Sequence, residues 1–93
     1  MKHKNIIERN GRTFELVTAM EAGFHGERAR VYIYEVIRPN ARFFRTRWLD
    51  SKGFWISDFP TIMDGIYCML DRLLVEEYAE RQTQKKWEEF EKN

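Results

Sequence analysis

The chain has 93 residues, 43% of them hydrophobic and 33% charged, which is enough for a single globular domain, 1–93, and too little for two. Its 16 basic and 15 acidic side chains leave a net charge of +1, which excludes a uniformly basic chromatin-type protein but permits a local basic patch. The single cysteine, Cys68, excludes an internal disulfide, and no apolar run approaches the roughly 18 residues of a membrane helix. We therefore expect a cytoplasmic protein with no contact to membranes.

The first predicted feature is a β-hairpin with strands at about 5–9 and 12–20. Asn10 and Gly11 join them, and both residue types tolerate the positive φ that a two-residue type I′ turn requires. In the second strand the residues on one side are mostly apolar, so this side is predicted to face the core: Phe14, Leu16, Thr18 and Met20.

Three more strands are predicted at about 30–38, 42–49 and 54–57. The first is rich in β-branched and aromatic residues, and Pro39-Asn40-Ala41 is expected to turn the chain after it. The segment 50–53, Asp-Ser-Lys-Gly, is predicted to form the next turn.

A long helix is predicted from about 62 to 91. Thr61 suits the N-cap, with Asp64 three residues later, and Gly65 is expected to weaken the first turn by roughly 1 kcal/mol. The fold class is therefore α+β: an antiparallel meander of four to five strands, followed by one helix that packs on one face of the sheet. The main core is predicted to contain Ile33, Phe44, Trp48, Ile66, Leu70 and Leu73.

The helix is too long for the sheet. It would span roughly 45 Å, whereas an eight-residue strand spans about 27 Å, so its C-terminal third should overhang. After Leu74 the apolar side also moves by about 100° around the axis, to Val75, Ala79, Trp87 and Phe90. Three alternatives follow: the helix bends near Gln82-Thr83, these residues bind a partner, with a homodimer as the simplest case, or the segment is a solvated, frayed tail.

Charge divides the chain into a basic sheet half and an acidic helix half. Residues 1–57 carry a net charge of +5 and residues 58–93 a net charge of −4. Strand alternation and the need for an apolar side under the helix assign these residues to the core: Val31, Ile33, Ile37, Phe44 and Trp48. The opposite face is then predicted to carry Arg30, Tyr32, Tyr34, Arg38, Phe43, Arg45 and Arg47.

Aromatic side chains interleaved with arginines suit single-stranded nucleic acid, because bases stack on the rings and arginines neutralise phosphates. The same residues are also ordinary for the solvated face of an antiparallel sheet. No catalytic residue, metal ligand or cofactor motif is identified. Cys68 is expected to be a small buried residue, and the loop histidine His25 has no partner placed by the sequence to orient it.

At the level of topology alone, about residues 30–80 resemble the fold of single-stranded DNA-binding transcriptional coactivators, in which a dimer-forming helix follows an antiparallel sheet. Size, single-domain organisation and lack of catalytic apparatus also resemble small accessory proteins of phages and mobile elements. Two hypotheses follow: a dimeric module that binds single strands through its sheet face, or a protein-binding module, such as an inhibitor, that docks through its acidic C-terminal helix.

Overall fold

Four strands form one antiparallel sheet in chain order, and a single helix follows them. The computed structural model describes residues 2–37 and 45–92. The elements are β1 (Lys2–Arg9), β2 (Arg12–Met20), β3 (Arg28–Ile37), β4 (Arg45–Trp55), a 3-10 turn (Ile56–Asp58) and α1 (Ile62–Lys92). The predicted fold class is confirmed.

The β1–β2 hairpin closes through Asn10 and Gly11. Their φ angles are 53° and 75°, and Arg9 pairs directly with Arg12, so the connection has two residues. Both positive φ values are those of a type I′ turn, whose twist matches that of the flanking strands. The dipeptide Asn10-Gly11 was therefore sufficient to predict this turn from the sequence.

The predicted turn at 50–53 is wrong. Asp50 pairs with Ile33 and Gly53 pairs with Arg30, so the predicted strands 42–49 and 54–57 belong to one strand, β4. The ten residues of β3 offer partners along this whole segment, and an irregularity in the register between Ile33 and Tyr34 absorbs an extra residue of β4. The predicted turn Pro39-Asn40-Ala41 and residues 42–44 lie outside the described residues.

One side of the sheet packs against the first half of α1. The fully or nearly fully buried side chains of this core are Phe14, Leu16, Ala29, Val31, Ile33, Phe54, Ile66, Met69, Leu70 and Leu73. Three residues predicted for the core side are exposed instead, namely Met20, Ile37 and Trp48, and Phe44 lies outside the described residues. Met20 and Ile37 end their strands, and Trp48 lies on the side of the sheet that α1 does not cover.

The N-terminus of α1 is capped as predicted. The backbone N–H of Asp64 donates to Thr61 Oγ1 at 3.2 Å, and Thr61 Oγ1 donates to a carboxylate oxygen of Asp64 at 2.9 Å. Gly65 has a role that propensity does not show. It is buried against the Phe54 ring, and a Cβ at this position would lie within 3 Å of three ring carbons. The absent side chain lets the helix approach β4 closely.

Candidate nucleic-acid interface

Strand register decides which side chains share a face, because residues directly opposite in an antiparallel pair point to the same side. Tyr32 pairs with Val17 and Ser51, whereas Ile33 pairs with Leu16, which is in the core. Tyr32 therefore lies on the side away from α1. We call this side the open face.

The centre of the open face is aromatic. Tyr34 pairs with Trp48 across β3 and β4, and Tyr32 lies two residues from Tyr34 on the same side, about 7 Å along the strand. Trp48 is 56% exposed and Tyr32 36%, while Tyr34 is half-buried. We call these three residues the aromatic cluster. Two members were predicted for this face, and Trp48 was predicted for the core.

Two aliphatic side chains extend the apolar area towards β1. Val17 is the cross-strand neighbour of Tyr32, and Ile6, which is exposed, pairs with Glu15 next to Tyr34. A salt bridge of 3.5 Å joins Glu15 to Lys4. This part of the open face is thus apolar with compensated charges.

Arg30 lies on the open face as predicted, but its charge is already paired. Its Nε donates to Glu21 at 2.6 Å, and a terminal nitrogen donates to Ser51 at 3.2 Å. Glu21 also bridges to Arg28 at 2.6 Å. Desolvation acts to raise the pKa of Glu21, yet the hydrogen bonds from Arg30 and Arg28 outweigh it and the pKa is lowered. Arg30 is therefore a weak candidate for a phosphate contact.

Arg45 and Arg47 lie on the opposite side from the prediction. Arg47 pairs with Glu35, and Glu35 pairs with core residue Phe14, so this side faces α1. The prediction placed Trp48 under the helix and the two arginines on the opposite face. The observed register exchanges these two sides, because Trp48 pairs with Tyr34 and not with a core residue. Arg45, opposite Ile37, shares the side of Arg47.

Arg47 belongs to an ion network that reaches the helix. It donates to Glu35 at 3.0 Å, Arg12 makes two hydrogen bonds to the same carboxylate at 2.9 and 3.0 Å, and Arg12 also donates to Glu77 of α1 at 2.7 Å. The hydrogen bonds from Arg12 hold the pKa of Glu35 below its ordinary value, and those from Glu35 and Glu77 raise the pKa of Arg12. Glu35 is thus paired with Arg12 as well as with Arg47, and the Arg47 side chain is 62% exposed.

The most basic segment of the sequence lies between Glu35 and Asp50 and includes the first residues of β4. Between Glu35 and Asp50 the sequence contains four arginines and no acidic residue: Arg38, Arg42, Arg45 and Arg47. Arg38 and Arg42 lie outside the described residues, as does the predicted binding residue Phe43. Because β4 is an edge strand, its two sides are separated only by the width of one backbone. Arg45 and Arg47 on one side and the aromatic cluster on the other thus border the same edge.

The predicted partner-binding residues of the helix are all exposed. Val75 is 67%, Trp87 58% and Phe90 70% exposed, and Ala79 is also exposed. Trp87 and Phe90 contact each other edge to face, with ring centroids 5.7 Å apart. Of the four, the structure shows a contact only between Trp87 and Phe90, and all four lie on α1 rather than on the open face of the sheet.

Within residues 2–37 and 45–92, no group of three or more His, Cys, Asp or Glu side chains is arranged to hold a metal ion. Cys68 was expected to be buried, and it is half-buried beside the core. None of the described helices is long and apolar enough to cross a membrane. Comparison of the chain with family models, with curated proteins and with solved structures gives no match.

Sequence reasoning missed Trp48 as a surface residue. The alternation of the strand shows only which residues share a side: Thr46 and Trp48 lie on one side, and Arg45 and Arg47 lie on the other. Either side could have been the inner one, and only the pairing of Trp48 with Tyr34 distinguishes them.

Proposed function

We propose that this protein is a non-enzymatic module that binds single-stranded nucleic acid along the β3–β4 edge of its sheet. The observation that carries the proposal is the Tyr34–Trp48 pair on the open face, in which Trp48 is exposed, on the same edge strand as the exposed side chains of Arg45 and Arg47. Bases stack on the aromatic cluster, and the phosphates follow the arginine-rich edge.

The aromatic cluster supplies the contacts to bases. Stacking of one base on an aromatic side chain contributes about 1–3 kcal/mol and needs no particular sequence, because every base has a π-face. Trp48 has the largest ring of the cluster and the largest exposed fraction, so its loss should weaken binding most.

The arginines supply the contacts to phosphates. Arg45 is exposed, and Arg47 shares its carboxylate with Arg12, so neither has to leave a buried charge behind when it turns to a ligand. Guanidinium groups bind phosphate oxygens through two parallel N–H donors. The sheet edge therefore combines the two kinds of contact that sequence-tolerant single-strand binding requires.

The test is fluorescence anisotropy of labelled single-stranded DNA and RNA over a series of salt concentrations. Trp48→Ala should weaken binding by about 1–3 kcal/mol with an unchanged salt dependence. Arg45→Gln together with Arg47→Gln should flatten the slope of log affinity against log salt by about 1 to 1.5, because two phosphate contacts are lost.

Matched variants on the helix control for general effects. Tyr78→Ala removes an exposed ring, and Arg81→Gln with Lys85→Gln removes two exposed charges, all on α1 and outside the proposed site. These variants should bind like the unaltered protein. If the unaltered protein binds no oligonucleotide at low salt, or if both sets weaken binding equally, the proposal is rejected.

A second candidate, a protein-binding module of the kind phages and mobile elements use as accessory or inhibitor proteins, is favoured by one observation. Trp87 and Phe90 form an exposed aromatic pair on the C-terminal half of α1, and aromatic anchors of this kind dominate many protein interfaces. Substitution of this pair, with oligonucleotide binding as one readout and association state as the other, separates the two candidates.

A further inference from the structure

The C-terminal half of α1 extends beyond the sheet. Leu73 is the last buried residue of the helix, and Glu77 makes the last polar contact of the helix to the sheet, through Arg12. From Tyr78 to Lys92 every residue is exposed except the half-buried Gln82. We call residues 78–92 the helical extension.

An apolar stripe runs along the helix into this extension. Its members recur at spacings of three and four residues and so lie on one side: Val75, Ala79, Thr83, Trp87 and Phe90. The helix is held on the sheet by Leu70 and Leu73, which lie on a different side, so it cannot rotate to place the stripe on its own sheet. Within the described chain the stripe faces solvent.

We propose that this stripe pairs with the same stripe of a second copy of the chain, with the two helices antiparallel and crossing near Thr83. The sizes of the side chains support this arrangement. The stripe is small at its start, where Val75 and Ala79 lie, and bulky at its end, where Trp87 and Phe90 lie.

Antiparallel pairing places each bulky end against a small end. Thr83 lies midway between Ala79 and Trp87, so a twofold axis at Thr83 sets Ala79 opposite Trp87 of the second copy. Phe90 then packs near Val75 of that copy. Parallel pairing would instead place bulky against bulky and small against small, leaving steric conflict at one end and gaps at the other.

Charge also favours a second copy over a strongly charged partner. The helical extension contains four acidic residues, Glu80, Glu88, Glu89 and Glu91, and four basic ones, Arg81, Lys85, Lys86 and Lys92. A neutral segment gains little from an acidic or a basic partner and meets no net repulsion from its own copy. Because the stripe is only about 22 Å long, the interface belongs to the small class and the dimer should depend on concentration.

The first experiment is sedimentation equilibrium of the full chain over a wide range of concentrations. We expect a reversible dimer, with the dissociation constant raised about tenfold or more by Trp87→Arg with Phe90→Arg. Glu88→Arg with Glu91→Arg adds the same residue type on the side away from the stripe and should leave the dissociation constant within about threefold. A monomer at all concentrations, or equal effects of both pairs, overturns the proposal.

The second experiment tests the orientation by disulfide formation in a Cys68→Ser background. Thr83→Cys should form an intermolecular disulfide, because the two residues face each other at the crossing point. Ala79→Cys should not, since antiparallel helices separate the two positions by about 12 Å, beyond the roughly 7 Å that a disulfide spans. If both variants cross-link, the helices pair in parallel. If neither variant cross-links, the proposed contact does not form. Either result overturns the proposal. Neither experiment depends on nucleic-acid binding.

Discussion

The two halves of α1 are parts of one continuous helix with opposite environments. The first half buries Ile66, Met69, Leu70 and Leu73 against the sheet, whereas the helical extension buries none of its residues. Backbone hydrogen bonds continue the helix through both halves, but burial ends where the sheet ends. Helix length is therefore a local property of the sequence, while the stabilising contribution of a helical residue depends on what lies beneath it.

The largest expected effect contrasts a buried with an exposed aliphatic residue of the same helix. Leu70→Ala should lower the free energy of unfolding by about 2–5 kcal/mol, because it leaves a cavity in a fully buried site. Val75→Ala, five residues later at an exposed position, should change it by less than about 0.5 kcal/mol at concentrations where the chain is monomeric. Urea denaturation of both variants measures this contrast. Similar losses in the free energy of unfolding would show that the two halves of the helix contribute equally to stability.

A smaller effect is expected at Gly65, where packing and propensity make opposite predictions. Helix propensity predicts that Gly65→Ala stabilises by up to about 1 kcal/mol. The structure predicts a loss of about 1–3 kcal/mol, because the new Cβ would overlap the Phe54 ring at Cε2.

Two further variants identify the cause at Gly65. Gln84→Ala in the helical extension has no such contact and should be neutral or stabilising. Combining Gly65→Ala with Phe54→Leu should cost less than the sum of the single changes, since the smaller side chain relieves the clash. Thermal or urea unfolding compares the unaltered protein with Gly65→Ala, Phe54→Leu, their combination and Gln84→Ala. A stabilised Gly65→Ala variant would refute the close approach of helix and strand.

The smallest expected effect is the pH dependence of stability that comes from the ion network of Arg12, Glu35 and Glu77. Glu77 lies next to the boundary between the two halves of α1. Arg12 lowers the pKa of Glu35 below its ordinary value of 4.5 and bridges to Glu77 of the helix. A carboxyl group with a depressed pKa in the folded state stabilises fully above its unfolded pKa, and this contribution is lost as the pH falls through the folded value.

The unfolding midpoint should therefore fall as the pH drops below about 4.5, and Glu35→Gln should flatten that dependence. Glu88→Gln, at an exposed position of the helical extension, is the matched control and should leave the profile unchanged. An unaltered profile in Glu35→Gln would show that the network does not contribute.

Features controlled by neighbouring residues could be predicted from the sequence. The turn at Asn10 and Gly11 follows from their tolerance of positive φ, and the helix start follows from Thr61 and Asp64. The overhang of the helix follows from counting residues against the size of a sheet. Each inference needs only geometry that a short segment carries by itself.

The candidate site was only partly predictable. Tyr32 and Tyr34 were placed correctly on the open face, since Val31 and Ile33 between them are strongly apolar and had to face the core. Trp48 was placed wrongly, because hydrophobicity alone assigns tryptophan to the interior. Its ring lies instead beside Tyr34 on a surface that no other element of the described chain covers.

The sequence by itself determined the order of the elements, the first hairpin, the cap and the extent of the helix. Tertiary structure alone decided that β4 runs unbroken through Asp50–Gly53, that Arg45 and Arg47 face the helix side, and that Gly65 admits the Phe54 ring. The physical reason is the same in each case. Strand register, and with it the face of every side chain, is set by pairing with a distant strand, and a slip of one residue inverts it.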